Sequence, residues 1–396
     1  MMRMLLVGYC YGIRSERRLC DEVHLNLGYR WFCRLELEGA VPERSTFSKA
    51  RHGRFRESEA FRLVFEAVVR SCMRAGLVGG EGFAIDASII EADASHARRT
   101  EPGSPLPNWS DPATAARPVR EYLAALEAGS TPPVEPEADP QPPRSLSTTD
   151  PAAAWTTKGA RKVGFAYGVN CLIDMERAIV VDVEASPARW TQEVGTTRTM
   201  IRRTAERLGL RPQRLAADAA YGSGGLLAWL VERGIAPHIP VLDRHQQTDG
   251  RLTREAFTYD PEWNVYTCPE GKVLAYTGHT RPNGVMTCRS SAKDCAPCPI
   301  RERCVTGSAR NVTRNIHEAA REHARALRGT KEYARSAWER RKIEMLFAHL
   351  KRNLGLRRLR LRGLSGASDE FLLAATALNL RRLARNQAAP IEPTPA

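Results

Sequence analysis

The sequence has no long hydrophobic run. Nothing in it approaches the roughly 20 consecutive apolar residues that a bilayer-spanning helix needs, which argues against a membrane-embedded protein. A secretory leader is missing too: Met1–Val7 is short and already broken by Arg3, so a cytoplasmic protein is expected. Acid is in short supply, with 45 Asp and Glu against 59 Lys and Arg and a net charge of +14. Lysine is scarce within that excess. Arginine dominates, and its planar fork suits bidentate phosphate contact. Such a balance points to a polyanionic partner, nucleic acid first and a charged membrane surface second. Nor is there the regular cysteine framework of a small secreted domain. Cys10, Cys20, Cys33, Cys72 and Cys171 are scattered through a chain of 396 residues, as reduced thiols would be. That length allows two or three domains with real cores.

What is present centres on Phe83-Ala84-Ile85-Asp86-Ala87-Ser88-Ile89-Ile90, opened by the Gly79-Gly80-Glu81-Gly82 turn. It reads as a buried strand. A charged Asp set into such a strand costs free energy unless it is paired or binds a cation. Asp86 is therefore either a strand-end hydrogen-bonding residue or a metal ligand.

Before this strand, residues 1–78 read as a helical domain of DNA-binding type. Ser15 caps a helix with Leu19, Val23 and Leu27 on its apolar side. Pro42 precedes a basic helix start at Ser45–Arg51. A helix pair with a basic second helix is the pattern of a helix-turn-helix, which makes Ser45, Lys49 and Arg51 candidate DNA contacts. The same residues also suit an ordinary bundle with a solvated basic face.

Residues 79–98 and 151–242 read as one α/β core. Strands are expected at Gly164–Leu172, Ala178–Val183, Arg214–Asp218 and Ala236–Val241, and helices at Thr196–Leu208 and Leu226–Gly234. This order matches a ribonuclease H-like plan, a mixed sheet with helices on both faces. Its first and fourth strands end side by side, which puts Asp218 near Asp86. Residues 99–150, rich in proline from Pro102 to Pro143 and with one expected helix at Pro118–Leu126, read as a flexible insertion. Glu91, Asp93 and His96 lead into it and find no matching partner.

Residues 243–330 form a second insertion, with Cys268, Cys288, Cys295, Cys298 and Cys304. Cys268, Cys295, Cys298 and Cys304 have the ligand count of a structural zinc site. Packing as reduced thiols without metal is the alternative. In residues 331–386, a basic helix carries Ile343, Leu346, Phe347 and Leu350 as an apolar stripe, with Glu344 beside it. Arg340 and Lys351 lie four residues before and seven after Glu344, nearly on one line at 3.6 residues per turn. An ion-pair network would produce the same pattern. Three converging carboxylates instead would need cations between them. Two divalent ions about 4 Å apart meet that need and serve phosphodiester chemistry; hard oxygen ligands favour Mg²⁺, with Mn²⁺ as a substitute. Residues 387–396 read as a disordered tail.

Together these motifs resemble the DDE transposases of bacterial insertion sequences, in the branch with a Tyr-Arg-Glu-Lys signature and a cysteine-containing insertion. The resemblance runs through Tyr11–Leu19, Tyr29–Phe32 and Ser45–Ser48, then Ile85-Asp86-Ala87-Ser88, Ala217-Asp218-Ala219-Ala220-Tyr221-Gly222, Arg340, Glu344, Lys351, Asn353-Leu354-Gly355 and Leu378–Leu383. It departs at Ala337, where the signature has Tyr; Tyr333 lies one turn earlier. The chain also opens inside a helix where relatives carry a longer arm. The resemblance implies binding of double-stranded DNA at terminal inverted repeats as a homodimer, with no membrane partner. It implies strand cleavage and transfer of the 3′ ends to target DNA. Asp86, Asp218 and Glu344 would hold two Mg²⁺ ions, and Arg340 and Lys351 would hold phosphates. An inactive DNA-binding relative and a nuclease without strand transfer are the alternatives.

Overall fold

The computed structural model describes residues 1–101, 104, 109, 115–128, 145–156, 163–188, 190–241, 251–281 and 284–387. Pro118 stands in the first turn of a described helix, while the other prolines of the 99–150 insertion and the tail beyond 387 lie outside these residues. In chain order the elements begin with α1 (Met2–Tyr11), α2 (Glu16–Leu25), α3 (Leu27–Cys33), α4 (Arg44–His52), α5 (Ala60–Arg74) and β1 (Gly82–Glu91). They continue with β2 (Arg99–Thr100), α6 (Arg117–Glu127), β3 (Leu146–Ser147), β4 (Ala154–Thr156), β5 (Gly164–Asp174), β6 (Val180–Pro187), α7 (Trp190–Leu208) and β7 (Arg214–Ala216). Then come α8 (Gly224–Glu232), β8 (Ala236–His238), β9 (Thr258–Asp260), β10 (Val265–Thr267), β11 (Val273–Thr280), β12 (Val285–Arg289), α9 (Ala292–Cys295), α10 (Arg301–Cys304) and β13 (Asn311–Asn315). The chain closes with α11 (Glu318–Leu327), α12 (Lys331–Arg352) and α13 (Gly363–Gln387). Among the described residues no helix is long and apolar enough to cross a membrane.

The described residues fall into two compact units, one taking 1–217 and 334–387, the other 218–333. The first is built on β1, which pairs antiparallel with β5 along nine residue pairs and parallel with β7 at its start. β6 continues the sheet beyond β5. Phe83, Ala84, Ile85 and Ile90 of β1 are buried; at about 1.5–3 kcal/mol for each large side chain, they fix the strand's register. Helix α13 packs on α1, α5 and β6. Its Asn379 is fully buried yet satisfied: the side-chain oxygen accepts the Val180 N–H (3.0 Å) and the amide nitrogen donates to the Val180 carbonyl (2.8 Å). A polar residue in a helix core thus pins α13 to the first residue of β6.

The second unit carries an antiparallel sheet in the order β13-β12-β11-β10-β9. Phe257, Tyr266, Leu274, Met286, Cys288, Cys304 and Val312 form its core. Much of this unit is the cysteine segment, which is therefore an organised β-structure.

Candidate active site

The sheet of the first unit carries Asp86 and ends shortly before Asp218. Asp86 is half-buried on β1 and accepts the Ala87 N–H (2.8 Å). Across the ladder its partner is Cys171 of β5. That thiol is fully buried, and burial first, then the charges of Asp86 and Asp182, push its pKa well up; it stays a protonated thiol beside the carboxylate. The parallel pair of β1 and β7 ends with Ala84 opposite Ala216. Asp86 stands two residues further along β1. Asp218 stands two residues beyond Ala216, as the first residue of the second unit. Asp218 caps the short turn Ala219–Tyr221 by accepting the Ala220 N–H (2.8 Å).

Helix α12 presents two acids in different states. Glu339 is buried, and Arg214 (3.3 Å) and Arg335 (2.9 Å) both donate to it. Arg214 also donates to Ser336 (3.2 Å), so the first residue of β7 clamps the helix. Glu344 is exposed, and among the described residues no ion pair ties it down. It flanks the buried stripe of Ile343, Leu346, Phe347 and Leu350. Arg340 and Lys351 share its side of the helix and are half-buried. Burial lowers the pKa of Lys351. All three positions lie on α12, and among the described residues no ion pair is formed by Glu344. Among the described residues no three His, Cys, Asp or Glu side chains are grouped so as to hold a metal ion.

Two positions read differently from their expectation. Ser45 and Lys49 are exposed one turn apart on α4. Arg51 is not: it is 4 % exposed, donates to Glu16 (2.9 Å) and lies 3.9 Å from Glu370. A guanidinium already held by two internal carboxylates serves the fold and has no open face for a phosphate. Asp93 has partners after all. It pairs with Arg358 (3.3 Å) and Arg362 (3.1 Å), while His96 packs edge-on against Trp155. The strand-like segment through Arg358 runs parallel to the end of β1, with Leu359 N–H donating to the Glu91 carbonyl (2.8 Å).

One densely connected carboxylate is passed over by pattern reading. Glu370 of α13 is completely buried. It pairs with Arg14, accepts the Tyr9 hydroxyl (3.3 Å), and accepts the Arg360 and Leu361 N–H groups (2.6 Å each). Only its place just before the largely apolar stretch Phe371–Leu378 signalled it.

In the second unit Cys268 lies in the turn between β10 and β11, where its sulfur accepts the Lys272 N–H (3.3 Å) and Gly271 takes the left-handed conformation (φ +72°). Cys295 and Cys298 lie in and just after α9, and Cys304 ends α10. All are free thiols. Burial first raises the pKa of Cys304, Arg310 lowers it, and Cys295, Cys298 and Cys268 raise it again. The four sulfurs are thus electrostatic neighbours.

Two families match parts of the chain. Residues 267–384 match the family described as Transposase DDE domain, a span that includes Glu344, Arg340 and Lys351. Residues 1–53 match the family described as Transposase domain (DUF772), which covers α1 to α4. No solved structure matches the chain.

Proposed function

Taking two transposase-family domains in one chain as the premise, we propose that this protein is a DDE transposase of an insertion sequence. It binds the inverted-repeat ends of the element as a dimer, cleaves the phosphodiester backbone and transfers the 3′ ends to target DNA in the cytoplasm. The observation that carries the reading is the parallel pairing of β1 with β7, because each strand leads to a carboxylate at the same distance beyond the last pair. Antiparallel β5 and β6 on the other side of β1 support the ribonuclease H-like plan. Clamping of α12 by Arg214 connects the third acid to the strand that leads to the second.

In this reading Asp86, Asp218 and Glu344 supply hard oxygen donors for Mg²⁺ or Mn²⁺. When bound, two such ions neutralise the phosphate and acidify the attacking water or 3′-hydroxyl. Arg340 and Lys351 flank Glu344 and hold the phosphates on either side of the scissile one. The desolvation that lowers the pKa of Lys351 leaves its ammonium ready to gain a phosphate partner. Exposed Ser45 and Lys49 of α4 contact the DNA backbone; buried Arg51 does not.

A second reading is an inactive DNA-binding relative. One experiment decides between the two. Purified protein with Mg²⁺ is given duplexes from the DNA flanking its own gene, and nicked and joined products are counted. A transposase nicks and joins, and Asp218→Ala removes both while keeping DNA affinity. Nicking without joining indicates a nuclease; neither product indicates the inactive relative.

For the cysteines we carry forward the structural zinc site of Cys268, Cys295, Cys298 and Cys304. Their electrostatic proximity and the N–H bond to the Cys268 sulfur support it. The thiols must draw closer together to bind the ion. Metal analysis of protein purified without chelators should give about one zinc per chain, as expected for a closed four-thiolate site. Metal-free, fully folded protein would contradict the assignment.

A further inference from the structure

The first unit contains a groove of about 780 Å³ between α1, α3 and the last turns of α13. That volume is within the usual range for bound small molecules. Tyr11, Tyr29, Trp31 and Phe32 line one side. Trp31 is 80 % exposed and Tyr11 64 % exposed, a large aromatic area to leave in water. The Tyr11 and Tyr29 rings stand 5.0 Å apart and tilted by 48°.

The opposite wall is cationic. Arg381 and Arg385 line it, and no carboxylate does. Arg381 donates to the Cys10 carbonyl (3.0 Å), which fixes its guanidinium at the groove. His349 senses the same cluster: burial first, then Arg381, Arg385 and Arg382, push its pKa down, with no acid opposing them. Like charges held together under partial burial cost free energy until an anion joins them.

We propose that this groove binds unpaired nucleotides of DNA, with bases stacked on Tyr11 and Trp31 and a phosphate held by Arg381 and Arg385. Aromatic faces opposite an acid-free arginine wall are the chemistry of base stacking with phosphate neutralisation. An apolar protein segment would leave the arginines without a partner. A paired duplex keeps its bases inside the stack, beyond reach of these rings, so the occupant is a strand end or an extruded base. The inference rests on the proposed reading only in taking DNA as the polyanion; it requires no cleavage.

The test is fluorescence anisotropy with three dye-labelled probes: a blunt duplex, the same duplex with a short unpaired 3′ extension, and the single strand alone. The wild-type protein should bind the extended duplex roughly tenfold tighter than the blunt one, the scale of a single base–aromatic stack. Trp31→Leu should remove this preference while keeping blunt-duplex affinity, and Arg385→Gln should weaken it. Trp31 and Arg385 are exposed, so neither change threatens folding. Asp218→Asn should keep the preference even where cleavage is lost, which separates the two readings. Equal affinity for blunt and extended duplexes overturns the proposal, as does a preference that Trp31→Leu leaves intact. A Trp31→Leu variant that only converts a dimer to a monomer in sedimentation would make the groove a self-association face, which also overturns it.

Discussion

Glu370 at the start of α13 and Glu344 in the middle of α12 are acids on neighbouring long helices of one unit, and their surroundings make them opposites. Glu370 is fully buried and ringed by Arg14, Arg51, Tyr9 and two backbone N–H groups. Glu344 faces solvent between Arg340 and Lys351. The first ties α1, α4 and α13 together. The second holds no part of the fold. A carboxylate that the fold already uses is not open to a ligand, which is why the proposed chemistry is given to the open acid. The same contrast separates Arg51, engaged inside, from Lys49, exposed one turn away on α4.

The largest expected effect breaks the buried side of this comparison. Glu370→Ala leaves Arg14 and Arg51 in the interior without their shared counter-ion. It should cost about 3–5 kcal/mol of stability, the usual price of halving a buried ion pair, read as a large drop in melting temperature. Glu344→Gln should do the reverse. Its melting temperature should match the wild type, while Mg²⁺-dependent cleavage falls at least about a hundredfold, several kcal/mol on the barrier. If Glu344→Gln melts early, the contrast between the two acids is wrong.

A pH titration sharpens the comparison with two further acids near α13. Asp150 is fully buried, and burial chiefly raises its pKa to about 6, against the Tyr167 hydroxyl and Gly363 N–H that hold it down. Burial likewise raises Asp369 to about 7, despite Arg56 at 3.5 Å. Here desolvation outweighs the ion pair. A folded-state pKa above the unfolded value means the folded protein binds the proton more tightly. The stability these groups contribute is full below about pH 4 and is lost as the pH rises through about 6 and 7. Asp150→Asn should flatten this slope by on the order of 2 kcal/mol, measured by denaturant unfolding at pH 4 and pH 8. An unchanged slope would show that Asp150 ionises normally.

The smallest effect concerns α4. Lys49→Gln should change stability by less than about 0.5 kcal/mol and reduce the salt dependence of DNA binding by about one counter-ion. Arg51→Gln should instead destabilise the fold. Identical behaviour of the two variants would erase the distinction.

Local pattern made part of this legible. The apolar run around Asp86 defined β1, and the 3.6-residue spacing of Ile343, Leu346, Phe347 and Leu350 defined the buried face of α12. Both signals are carried by neighbours in the chain. Helix α7 starts at Trp190 rather than Thr196 because its first turns are polar and carry little apolar periodicity. The sheet of the cysteine segment was not legible: β9 and β10 have three residues each, and most of β11 is exposed. The fate of Arg51 depended on Glu370, far along the chain, and no local spacing predicts such a pair.

The most direct test is cleavage of gene-flanking duplex with Mg²⁺ by the wild type, Asp86→Asn, Asp218→Asn and Glu344→Gln, with a melting curve for each. The account predicts cleavage by the wild type alone and four superimposable melting curves. Cleavage that survives in all three variants, or that disappears only together with the folded state, would contradict it.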